Sequence, residues 1–228
     1  TTVLRREPAL VEIEQFTDYV TQLQQVPEVV IFSSGWGYGY GAIDDTKQAV
    51  TQFSAFPTTK EGSFQGGKKL PDEKLGWTSL NRHGGHPGGT SSLCVIRRWI
   101  ADCSCQIVVN CVTIHSRDEG DGVRCRIVSP GRGVLNDSTA HNSTVTAVLD
   151  AFEIRAGEHI DFVIDCRTNE SHDSFKSTIT VTQSVGDSVQ RVWNSEEDFR
   201  DSPAAPELGV WSQLAQTLLL TNEFIFVD

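Results

Sequence analysis

The chain has 228 residues, enough to bury a sizeable core, with one main domain and extensions as the expectation. Lys plus Arg number 19 against 30 Asp plus Glu, a net charge of −11. That balance repels nucleic acid and anionic membrane surfaces, which require a basic patch, and suits a neutral ligand or a cation. No apolar run reaches the length that spans a bilayer.

The chain contains no methionine, and its start at Thr1 is expected to mark a processed or excised chain whose export signal has been removed. Residues 1–28 form the first segment. Leu10, Ile13, Phe16, Val20 and Leu23 recur at helical spacing, with Pro8 near the first turn and Pro27 beyond the end. The spacing predicts an amphipathic packing helix over 8–24.

A second segment, 29–185, reads as strand and turn. Val29 to Phe32 is a short buried-strand signal, followed by SSGWGYGYGAIDD. If 36–40 is extended, the rings of Trp36, Tyr38 and Tyr40 share one side, with glycines between them where a backbone must come close. Two readings stay open. The rings stack on the apolar faces of sugars, or they fill the core and the glycines give them room. Phe53 and Phe56 anchor the next strand-like stretch. Gly66-Gly67 and Pro71 punctuate a loop, and Trp77 precedes another alternating segment.

The glycine-rich loop NRHGGHPGG at 81–89 places Asn81, Arg82, His83 and His86 close together. Such loops gather at binding rims, where these side chains would orient hydroxyls. The two histidines are also a weak signal for a shared metal, and hence for a metal-dependent enzyme.

Two strands follow, Cys94 to Ile100 and Cys105 to His115, joined at Ala101-Asp102. One of Arg97 and Arg98 is expected to pair with a carboxylate such as Asp161 or Asp165. Val123, Cys125 and Ile127 alternate with arginines. Phe152 and Ile154 lead into the turn at Ala156-Gly157, then Ile160, Phe162 and Ile164 alternate again, and Ile179 and Val181 alternate with threonines. The fold class is therefore mainly β: an antiparallel, jelly-roll-like β-sandwich with short flanking α-helices at both ends. The third segment, 186–228, reads as a polar acidic linker, then a second helix in which Leu208, Trp211, Leu214 and Leu218 repeat at helical spacing.

Six cysteines permit disulfides in an oxidising compartment. Cys103 and Cys105 are separated by one residue, and no C-x-x-C-H occurs, so no haem attaches to this chain. Cys105 and Cys111 lie on one strand and cannot bridge while it stays extended. There is no G-x-S-x-G, H-E-x-x-H or P-loop, which weighs against an enzyme.

The strings RRW at 97–99, GDGVRCRIV at 120–128, EIRAGEHIDFVIDCR at 153–167 and N-x-x-x-D-S-F at 169–175 resemble the secreted, carbohydrate-binding-like jelly-roll modules of bacterial, planctomycete-type, cytochrome-c-associated multidomain proteins. The ending WSQLAQTLLLTNEFIFVD (211–228) resembles their C-terminal tail, and ADCSCQ departs from their usual Pro/Gly turn. The resemblance implies a non-catalytic module outside the cytoplasm, extracellular or periplasmic, with a glycan as ligand and other protein subunits as partners. It leaves open an assembly subunit of a cytochrome-type redox complex that uses the end helices as interface. It also implies a structural calcium ion on Asp44, Asp45, Asp165 and Asp173, against the reading that Asp173 caps the DSF turn and Asp165 pairs with an arginine.

Overall fold

The computed structural model describes residues 35–185 and 188–200. The two predicted helices and the strand signal at Val29 to Phe32 lie outside these residues, and the described part contains no helix. It consists of fourteen strands: β1 (Trp36–Asp44), β2 (Ala49–Ala55), β3 (Thr58–Lys60), β4 (Ser63–Gln65), β5 (Ser79–Asn81), β6 (Gly84–His86), β7 (Cys94–Ile100), β8 (Cys105–His115), β9 (Val123–Ser129), β10 (Gly133–Ala140), β11 (Ser143–Ile154), β12 (His159–Asp165), β13 (Phe175–Val185) and β14 (Ser188–Asn194).

They form two antiparallel sheets. One has six strands in the order β10-β9-β12-β7-β1-β2. The other has eight, in the order β11-β8-β13-β6-β5-β4-β3, with β14 also paired to β13. A single apolar layer lies between the sheets, formed by Trp36, Trp99, Ile160 and Phe162 from one side and Ile107, Val109, Ile179 and Val181 from the other. Alternate residues of the six-stranded sheet, Cys94, Ile96, Val128 and Val163, build a second, smaller cluster. A strand presents successive side chains to opposite faces, so two clusters on the same strands mark two covered faces.

The register of β1 against β7 decides the fate of the glycine–aromatic run. Trp36 lies opposite Trp99, Tyr38 opposite Arg97 and Tyr40 opposite Val95. All three rings therefore enter the layer between the sheets. Trp36 is 0% exposed and Tyr38 2%, so neither ring can stack on a ligand. Tyr40 is partly buried against the same core, 5.5 Å from the Phe56 ring. The expectation that these rings form a contact surface is corrected: burying large apolar rings outweighs displaying them. The intervening glycines serve the opposite face, where a Cβ on Gly39 would come within 2.8 Å of the Phe53 ring.

The sheet continues past the expected end of the sandwich at 185. β14 and the turn after it place Trp193 and Phe199 in the main core, where a polar linker was expected. Four strands carry extra residues against their partners: Thr51 on β2, Leu135 on β10, Asp150 and Ala151 on β11, and Gln190 on β14. Such bulges bend the strand and sharpen its twist.

One side chain ties the sheets together. Arg97, on β7, is 2% exposed. It crosses to the other sheet, where Nη1 donates to the Ser177 carbonyl and to Ser195 Oγ, each at 3.1 Å. Nη2 donates to the carbonyls of Asn81 at 2.7 Å, Gly84 at 3.3 Å and Arg82 at 3.4 Å. Burial disfavours its charge and lowers its pKa, while the Tyr38, Cys111 and Glu196 groups nearby act the other way. Arg98, its neighbour on the opposite face, forms the anticipated ion pair, Nε and Nη2 to the two oxygens of Asp161 at 2.7 and 2.8 Å.

Replacing Arg97 by Ala takes this donor from the buried Ser177 and Gly84 carbonyls and from the part-buried Asn81 carbonyl. Since an unmet buried polar group costs about 1–3 kcal/mol, the variant should lose at least about 3 kcal/mol of stability. The midpoint of a urea transition, compared with that of Arg98→Ala, measures it.

Candidate binding site

Among the described residues, the cavity between the sheets is too small for a sugar. The cavity lined by Leu80, Arg97, Cys111, Thr113 and Ile127 has a volume of about 20 Å³, room for about one water.

The NRHGGHPGG loop is the β5–β6 hairpin and its exit, and most of its polar groups are engaged by the protein. Asn81 Oδ1 accepts from the backbone N–H of His83 at 2.9 Å and of Gly84 at 3.1 Å, closing the turn. Gly84 must be glycine, because a Cβ there would sit 1.9 Å from the Phe175 carbonyl oxygen. Arg82 Nη1 donates to the Glu196 carbonyl at 3.0 Å, and its guanidinium lies 5.9 Å from the Phe199 ring. His83 Nδ1 meets Glu196 Oε2 at 3.2 Å, and Thr178 Oγ1 donates to Glu196 Oε1 at 2.6 Å. Arg82 and His83 thus fasten the hairpin tip to the turn after β14 while Asn81 closes the tip itself, so these expected ligand contacts are engaged within the fold.

His86 sits at the other end of β6, paired across the hairpin with Ser79. The two histidines do not meet, and among the described residues no three His, Cys, Asp or Glu side chains are placed to hold a metal ion. The metal-dependent reading of this loop loses its basis. His86 Nδ1 donates to the Pro87 carbonyl at 2.6 Å, which fixes Nε2 as the acceptor nitrogen. Burial lowers its pKa below the ordinary 6.5, against the smaller pull of Glu170, so the imidazole is neutral at pH 7.

Beside it stands Trp77, its ring 6.3 Å from the imidazole and its surface 45% exposed. Trp77 precedes β5 and follows Gly76, whose φ of +57° turns the chain outward before the strand begins. Its ring is therefore not committed to either face of the sheet. On the far side Glu170 Oε2 lies against Gly89, where a Cβ would be 1.7 Å away. This corner gathers an exposed indole face, a neutral imidazole with a lone pair, and a carboxylate. A flat apolar face beside two acceptors is what a polyhydroxylated ring requires.

The four aspartates do not form one ion site. Asp44 Oδ1 accepts from the backbone N–H of Thr46 at 2.9 Å and of Lys47 at 3.0 Å. Asp45 accepts from Arg126 Nη1 at 2.7 Å, and Asp165 binds Nη2 of the same guanidinium. Asp165 therefore pairs with an arginine, as one of the two readings held. Asp173 caps nothing. It is 0% exposed and neither oxygen has a hydrogen-bond partner; His115 Nε2 is 3.9 Å from Oδ1 and donates instead to the His172 carbonyl at 2.9 Å. Oxygens already bound to arginines and amides do not suit calcium, which takes six to eight oxygen ligands.

No protein-family model and no curated protein matches the sequence. Structural comparison finds carbohydrate-binding modules. One is the C-terminal CBM6 of the laminarinase LamC from Zobellia galactanivorans, 14% identical over 43% of this chain and 76% of that one, with a TM-score of 0.27. Another is a family 35 module from Clostridium thermocellum, 12% identical over 42% and 82%, TM-score 0.26. A PA14 sugar-binding domain from an RTX adhesin is 9% identical over 52% and 76%, TM-score 0.28. Likenesses this distant carry no argument about the ligand, which the site's own residues must supply.

Asp173 makes a pH prediction. Burial first, then the charge of Asp121, raises its carboxyl from 3.8 to about 7. The folded chain holds this proton where the unfolded chain has lost it, so the contribution is full below about pH 4 and fades as pH rises through about 7. His86 acts in the opposite sense near its ordinary value, so the raw slope mixes the two. The stability difference between wild type and Asp173→Asn isolates the carboxyl: the variant should gain on the wild type as pH rises from about 5.5 to about 8, in denaturation series.

Proposed function

We propose that the chain is a non-catalytic, jelly-roll-like carbohydrate-binding module of a larger secreted protein or assembly, extracellular or periplasmic. The observation that carries this reading is the exposed Trp77 ring beside the neutral His86 imidazole and the Glu170 carboxylate. A pyranose stacks its C–H face on the indole, its hydroxyls donate to His86 Nε2 and to Glu170, and no bond in the sugar has to break. The net charge of −11 favours a neutral glycan over an anionic one. The resemblance of the strand motifs to secreted modules of this kind supports the same reading.

A glycan array probed with the whole chain tests it. Stacking contributes on the order of 1 kcal/mol, so Trp77→Ala should weaken binding about five-fold. The melting temperature should stay within a degree or so, because the ring is a surface group. Failure to retain any glycan, or equal binding by Trp77→Ala, overturns the reading.

A further inference from the structure

The six cysteines are free thiols, and their surroundings divide them four to two. Cys94, Cys111, Cys125 and Cys166 are 1%, 7%, 7% and 3% exposed. Burial raises all four, Cys94 and Cys125 to about 12 and Cys166 to about 11. Thiols held protonated in the core are inert toward exchange.

Cys103 and Cys105 differ. Both are half-exposed, at the corner between β7 and β8, with only Ser104 between them. The bend at Asp102-Cys103 brings the two cysteines near each other at the start of β8. Cys105 Sγ also lies 3.7 Å from the Cys103 carbonyl oxygen. Gln183 Nε2, from β13, donates to Cys103 Sγ at 3.9 Å. The corner around them is pinned: Ala156 N–H donates to Ser104 Oγ at 3.0 Å, and Arg191 pairs with Asp102. Two half-exposed cysteines one residue apart on a fixed corner, with the Cys105 sulfur against the Cys103 backbone, are arranged for exchange with each other.

We propose that Cys103 and Cys105 form a redox-active dithiol that a small-molecule disulfide, such as oxidised glutathione, converts into a local Cys103–Cys105 disulfide. The Cys103 thiolate attacks one sulfur of the oxidant; the oxidant's S–S bond breaks and one small thiolate leaves. Cys105 then gives its proton to solvent and attacks Cys103 Sγ, and the second small thiolate leaves. The protein gives up two electrons and two protons, and the oxidant becomes two thiols. Burial, followed by the neighbouring Cys103, raises the Cys105 thiol to about 11. The site is separate from Trp77 and does not depend on glycan binding.

The test treats the full chain with oxidised glutathione, alkylates the remaining thiols, and sequences the peptides by mass spectrometry. The peptide containing Cys103 and Cys105 should be two hydrogens lighter, with Cys111 in the same peptide alkylated. Cys105→Ser should instead keep one glutathionyl group on Cys103, the trapped intermediate. Alkylation of both Cys103 and Cys105 after the oxidant, a bridge from either to another cysteine, or the same loss of two hydrogens in Cys105→Ser overturns the proposal.

Discussion

The sandwich depends on a cation placed where cations rarely go. Arg97 stands in the apolar layer with no carboxylate bonded to it, and its guanidinium is held by carbonyls and one hydroxyl of the facing sheet. Five donors in a rigid fork suit this task as no ammonium would. The acceptors belong to the β5–β6 hairpin tip, to β13, and to Ser195 beyond β14, so one side chain from the opposite sheet braces three neighbouring pieces of the eight-stranded one. Ser195 Oγ accepts from Ile179 N–H as well, which joins the turn after β14 to the middle of β13. The hairpin that bears His86 thereby takes its position from a residue in the opposite sheet.

The outer face of the six-stranded sheet follows a different rule. Its arginines meet aspartates: Arg98 with Asp161, Arg126 with Asp45 and Asp165, and Arg124 with Asp137. Arg98 also lies 4.2 Å from the centre of the Phe53 ring, which occupies the room left by Gly39. Of the aspartates that look like ion ligands in the sequence, Asp45 and Asp165 are thus consumed by an arginine and Asp44 by the amides of its own turn. Asp173 has no hydrogen-bond partner and holds its proton up to about pH 7 instead.

Much of this was legible from the residues alone. The bounds of β7 and β8 coincide with the runs Cys94 to Ile100 and Cys105 to His115, because alternation and turn residues agree there. Period two does not say which face is inward, however. The rings of Trp36 and Tyr38 share a side by pattern, and only their register against Trp99 and Arg97 makes that side the interior. β14 escaped notice because Val189 and Val192 are exposed and Arg191 interrupts them, leaving Trp193 as its main buried anchor. Trp77 was visible as a tryptophan but not as a surface, since its exposure comes from the turn at Gly76 that precedes the strand.

The bulges carry a consequence for behaviour at high concentration. β2 and β10 border the six-stranded sheet, β11 borders the larger one, and β14 pairs with β13 alone; each of these four carries an unmatched residue. The remaining border strand, β3, is only three residues long and contains Lys60. A second chain seeking to extend either sheet meets a broken ladder or a very short one at every border among the described residues. The described residues, three-fifths of them in strands, thus offer a second chain no long unbroken edge on which a fibril could grow.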